Sequence, residues 1–187
     1  MNLNNYYLIE IQFLGYRYHG WQKQPNLKTV HLMIDRTINY ILENNKFKSL
    51  GAGRTDAMVS APQTAFELFT EKPLIDLLAF MELFNTNLPQ DIRALSIKEI
   101  DKDFNIINSP KIKEYKYLFT EGTKNHPYCA PFITTFLDDL NIEIMKKGAK
   151  LFEGKHNLKS YCYKPNDNGL FEREIMHCRI TKNNTLK

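Results

Sequence analysis

The chain has 187 residues, 43% of them hydrophobic and 12% aromatic, which suffices for one buried core or for two small halves sharing a cleft. No stretch approaches the roughly 20 apolar residues of a membrane helix, and residues 1–13 lack the basic start and apolar middle of a signal peptide, so a cytoplasmic protein without membrane contact is expected. The net charge of +4 is uneven: residues 1–93 carry 9 Lys/Arg and 9 Asp/Glu, residues 94–187 carry 16 and 12. That bias suits a polyanionic partner, and it equally suits a lysine-rich solvated surface. Cys129, Cys162 and Cys178 form no CxxC pair and have no histidine at ligand spacing, which predicts reduced thiols and no metal.

Along the chain, residues 6–13 alternate and are rich in β-branched and aromatic types, predicting a strand that runs into an aromatic loop between Gly15 and Gly20. Thr29 is placed to cap a helix ending near Asn44, with Val30, Met33, Ile34, Ile38, Ile41 and Leu42 on one face. A strand from Phe47 into a Gly51–Arg54 loop and another over residues 61–69 follow. Pro73 then suits the first turn of a second helix that buries Leu74, Leu77, Leu78 and Met81. Residues 92–100 are strand-like. Beyond Asp101 the order repeats: a strand over 114–120, a helix over 139–153 aligning Ile142, Met145, Ala149 and Phe152, and strands over 158–163 and 173–181. The pattern predicts an α+β fold with helices on largely antiparallel sheet, divided into halves at 1–108 and 109–187.

The segment Gly51-Ala-Gly-Arg-Thr-Asp-Ala57 puts two glycines before an arginine, a threonine and an aspartate, so the backbone is expected to turn tightly after a strand and leave short polar side chains facing a cleft. On its own, Asp56 reads as an Asx-turn residue, as a surface partner for Arg54, or as a reactive carboxylate. A phosphate loop is disfavoured, because the Lys-Ser/Thr ending and any GxGxxG are missing.

The loop lies in an ordered series: residues 13–24 (Phe-Leu-Gly-Tyr-Arg-Tyr-His-Gly-Trp-Gln-Lys-Gln), residues 87–92 (Asn-Leu-Pro-Gln-Asp-Ile), Asp103-Phe104, and Tyr115-Lys-Tyr117. Together these resemble the TruA-type tRNA pseudouridine synthases over residues 6–180. The resemblance implies a two-halved fold around a central cleft, a homodimer, and isomerisation of uridine to pseudouridine in the anticodon stem-loop of tRNA without a cofactor. It implies Asp56 as nucleophile, Arg54 filling the stack left by an extruded base, and Tyr115 stacking on the target uracil and assisting proton removal at C5. Tyr115 and Tyr117, two apart on the expected strand, would share a face, with Tyr117 in the core. Trp21 and Tyr18 suit either RNA stacking or packing, and packing is preferred for Trp21. Arg17, Lys23, Lys111 and Lys113 are the candidates for RNA phosphate contacts. His31, His126, His156 and His177 belong to no recognisable triad or ligand set.

The chain departs from the family after Asp56, where Ala57-Met58-Val59-Ser60 stands in place of Ala-Gly-Val-His. A positive φ at Met58 would cost on the order of 1–2 kcal/mol, so a loop of altered shape is expected. Leu14, His31-Leu32 and Ile107 also replace residues usual in the family. Its members continue past residues 173–181 with a strand and a helix bearing a cleft arginine, so the second half is expected to be incomplete at Lys187. These departures keep a second reading open: a catalytically silent RNA-binding paralogue.

Overall fold

The computed structural model describes residues 3–109, 111–165 and 169–182. The chain divides into two compact units, Met1–Tyr117 with Pro127–Phe132, and Leu118–His126 with Ile133–Lys187.

The first unit is a four-stranded antiparallel sheet with two helices. Its strands are β1 (Asn5–Phe13), β2 (Phe47–Gly51), β3 (Ala61–Thr70) and β4 (Ile92–Glu99), in the order β2-β3-β1-β4. Alternation decides what each face does. Tyr7, Ile9, Ile11 and Phe13 of β1 and Phe66 and Leu68 of β3 are buried in one core with Val30, Ile34 and Ile38 of α1 (Val30–Leu42) and Phe80 and Phe84 of α2 (Leu77–Asn87). The helical residues recur every four positions, so each helix lays one stripe on the sheet. Burying each large apolar side chain contributes roughly 1.5–3 kcal/mol.

Thr29 caps α1 as expected, its side chain accepting from the Leu32 amide at 3.3 Å. The second helix starts later than the expected Pro73, because Asp76 Oδ1 accepts from both the Leu78 and Ala79 amides at 2.9 Å and so fixes the first turn. That phase turns Phe80 and Phe84 inward and leaves Leu78 exposed; Leu74, ahead of the helix, is buried and donates its amide to the Tyr7 hydroxyl.

On the opposite face of the sheet Glu67 is 1% exposed, and its Oε1 accepts from the amide of buried Ile106 at 3.1 Å. Burial pushes its carboxyl above the ordinary range, against the opposing pull of that bond and of Lys111 and Lys48.

The second unit holds β5 (Leu118–Glu121), β6 (Ile133–Phe136), α3 (Ile142–Lys150), β7 (Gly154–Asn157) and β8 (Glu172–Ile175). Here β7 and β8 pair antiparallel, but β5 and β6 pair in parallel, a departure from the expected antiparallel sheet. The expected strand at 114–120 begins only at Leu118, since residues 114–117 have no partner strand among the described residues. An alternating pattern without a ladder partner stays irregular. Tyr117 is accordingly exposed instead of lying in the core. Residues 159–161 form a 3-10 turn where a strand was expected, and the last strand is confined to Glu172–Ile175. The helix is shorter than 139–153, starting from the Asn141 cap, and its aligned face is the less exposed one, with Ala149 buried.

Candidate active site

The loop between β2 and β3 is braced by the segment that follows β1. At its entry, the Trp21 ring lies against Gly51, where an added Cβ would come within 2.6 Å of three indole atoms, and the Trp21 amide donates to the Thr55 carbonyl at 3.0 Å. Gly20, at φ 83°, backs onto Thr55–Ala57 so closely that a Cβ would stand 2.5 Å from the Thr55 oxygen. At its exit, the Met58 amide donates to the Tyr18 carbonyl at 3.0 Å, and the Gly15 amide donates to Ser60 Oγ at 2.9 Å. A Cβ on Gly15 would overlap the Val59 carbonyl at 1.9 Å.

Inside this frame Arg54 and Asp56 are exposed, and neither forms an ion pair or side-chain hydrogen bond among the described residues. Asp56 is therefore not the surface partner of Arg54. Met58 itself takes the left-handed conformation, at φ 67°, so the positive φ is accommodated by a methionine instead of being avoided. Ser60, one of the departures from the family pattern, supplies the acceptor that ties the loop exit to Gly15.

The exit is anchored further back. Tyr18, 2% exposed, donates its hydroxyl to Asp91 Oδ1 at 2.5 Å, while Arg17 donates to Asp91 Oδ2 through Nε at 2.9 Å and Nη2 at 2.7 Å. Burial pushes the Asp91 carboxyl up, but the bonds from Tyr18 and Arg17 outweigh it and the net shift is downward. Burial and the same contact raise the Tyr18 phenol, which stays protonated.

The entry is anchored by a cluster that sequence reading left out. His31 Nε2 lies 2.6 Å from Ser49 Oγ, the Ser49 hydroxyl donates to Asp35 Oδ1, and Lys23 Nζ pairs with Asp35 Oδ2 at 2.5 Å. The His31 ring stacks under Trp21, with centroids 5.5 Å apart. Because the serine proton points at the carboxylate, the imidazole must donate to Ser49 Oγ. The group therefore braces the fold and is not a nucleophilic triad. Burial holds His31 below its ordinary range, with Lys23 adding to the effect and Asp35 opposing it. The i,i+4 spacing of His31 and Asp35 is visible in sequence, whereas Ser49 arrives through the fold.

The sequence-selected cations separate into two groups. Arg17 is held by Asp91, Lys23 by Asp35, and Lys111 by the carbonyls of Ile106 and Ile107. Lys113 instead reaches over the loop, its Nζ 3.3 Å from where a Gly53 Cβ would lie. Tyr115 is 83% exposed on irregular chain and makes no hydrogen bond or ring contact among the described residues. The loop thus presents one carboxylate and two cations, Arg54 and Lys113, which can act on a polar anionic ligand. Trp21 is 4% exposed and packed, as expected.

No family model matches the chain. Similarity to individual proteins is extensive. The tRNA pseudouridine synthase A of Syntrophomonas wolfei is 32% identical over 174 residues, spanning 92% of this chain and 68% of the relative. That of Caldicellulosiruptor saccharolyticus is 32% identical over 177 residues, 95% and 72% of the two chains. The Thermosipho melanesiensis protein is 33% identical over 179 residues, 93% and 70%. With this identity sustained over more than two thirds of those relatives, the chain belongs to the tRNA pseudouridine synthase A family.

Proposed function

We propose that this protein isomerises a uridine of tRNA to pseudouridine, with Asp56 as the nucleophile. The observation that carries the reading is an exposed carboxylate, without an ion pair or side-chain hydrogen bond among the described residues, on a loop braced at entry and exit, in a member of this family. In the reaction the N1–C1′ bond breaks, the uracil turns, C5 bonds to C1′, C5 loses its proton and N1 gains one. Electrons and atoms balance within the nucleoside, so no cofactor is consumed. A carboxylate not neutralised by a neighbouring cation is available to attack the substrate.

The target base must leave the helical stack before it can reach Asp56. We assign Arg54 to the vacated stack and Tyr115 to the face of the target uracil and to proton removal at C5. Lys113 is assigned to phosphate, which positions the RNA without reading its sequence. Arg17, Lys23 and Lys111 already satisfy protein acceptors and contribute less. The anticodon stem-loop as target, a homodimer and a cytoplasmic location complete the reading.

The test supplies tRNA tritiated at uridine C5 and follows release of label. Wild-type protein should release it and Asp56→Asn should not; release by Asp56→Asn would remove Asp56 from the nucleophile role. Salt-sensitive binding by the wild type without release would favour the silent RNA-binding paralogue, the reading that the Met58 and Ile107 departures support.

A further inference from the structure

Among the described residues other than glycine, four have a positive φ, Asn26, Glu43, Met58 and Lys164, and of these Met58 alone is apolar. An L side chain in that region is strained, and glycine would remove the strain. The conformation is imposed from several directions. The Met58 amide is bound to Tyr18, the Val59 amide closes back on the Asp56 carbonyl at 3.3 Å, and Gly15 presses against the Met58 and Val59 backbone. The result is an exposed thioether, at 54%, with exposed Val59 beside it, two residues beyond Asp56. Neither is part of the buried core. A strained backbone thus carries an exposed apolar side chain at the place where a ligand would arrive, and strain retained at such a place points to a ligand-facing role.

We infer that Met58, with Val59, is a nucleobase contact that selects the RNA context around the target uridine; the inference rests on the RNA reading of the site given above. A thioether and an isopropyl group have no donor for phosphate or ribose, whereas polarisable sulfur packs well on aromatic faces. When a base leaves its stack, a neighbouring base has an exposed face to offer. The cations at the same loop, Arg54 and Lys113, supply the attraction for a polyanion.

Met58→Gly tests this cleanly, since relief of the left-handed strain predicts a thermal midpoint equal to or above that of the wild type. Loss of function then cannot be assigned to unfolding. We expect kcat/KM for tRNA to fall roughly two- to tenfold, carried by KM, the range of one thioether–ring contact. The deficit should disappear when the neighbouring nucleotide of the RNA is abasic. Equal KM for wild type and Met58→Gly, or a deficit that persists on the abasic RNA, overturns the contact. If the wild type forms no pseudouridine, the enzyme reading has failed separately, and direct tRNA binding by the two proteins still decides the role of Met58: a weaker Met58→Gly supports it and equal affinity removes it.

Discussion

Tyr18→Phe isolates the anchor behind the loop exit. The substitution keeps a buried ring, its contact with Lys28 Nζ at 4.9 Å from the centroid, and the main-chain carbonyl that receives Met58 N–H. It removes one hydroxyl, whose 2.5 Å bond is to a carboxylate that is itself only 8% exposed. A hydrogen bond to a charged group contributes about 1.5–3 kcal/mol, and Asp91 would keep Arg17 and its own backbone amide. The single tryptophan, Trp21, is buried next to the same loop, so its fluorescence in urea reports unfolding of this unit. At pH 7 the variant should be less stable by that amount with an unaltered urea slope. The pH dependence gives a second signature. The folded carboxyl titrates below its unfolded value, so its contribution is complete above about pH 4 and is lost as pH falls through the folded pKa. The gap between wild type and Tyr18→Phe should therefore close in acid. A loss under about 0.5 kcal/mol at pH 7, or a gap unchanged down to pH 3, would refute the anchor.

Two further substitutions probe the sheet face opposite the helices and the loop exit. Glu67→Gln keeps the oxygen that accepts from Ile106 and removes a buried charge. The wild-type carboxyl is raised, chiefly by burial, so the folded state binds more protons and wild-type stability rises as pH falls through that pKa. The glutamine protein should be the more stable at pH 8 and lose its advantage near pH 4, as urea titrations would show; a less stable variant at pH 8 would contradict this. Gly15→Ala forces a Cβ into the Val59 carbonyl, which cannot rotate away as a side chain would. It should cost about 1–3 kcal/mol by calorimetry and reduce label release more than the fraction unfolded explains.

Much of the first unit was legible because its signals are local. Period-two burial on β1, a Thr29 cap and a four-residue apolar repeat each act within a few residues, and they assemble as read. The second helix shows the limit of that reading. Pro73 permits a helix start, but Asp76, with two amides on one oxygen, determines it. Residues 114–117 failed for the opposite reason: alternation describes a strand's faces, yet a strand exists only with a partner, and partners are set by tertiary structure. The parallel pairing of β5 with β6 is likewise a long-range choice that no local pattern encodes.

At the candidate site, chemical identity and geometry were encoded differently. Asp56 and Arg54 stand out as a motif, but the loop's shape is set by residues scattered over the chain: Trp21 and His31 at the entry, Tyr18, Gly15 and Asp91 at the exit. A single charge-to-charge reading of Arg17 or Lys23 could not reveal that each is held by a carboxylate distant in sequence or one helix away. The two departures beside Asp56 also separate once the backbone is known. Ser60 turns inward and accepts from Gly15, so it maintains the loop; Met58 keeps the left-handed backbone and turns its side chain to solvent. One substitution supports the placement of Asp56, and the other alters the surface beside it. Changes in the RNA accepted should therefore follow position 58, and changes in loop rigidity position 60.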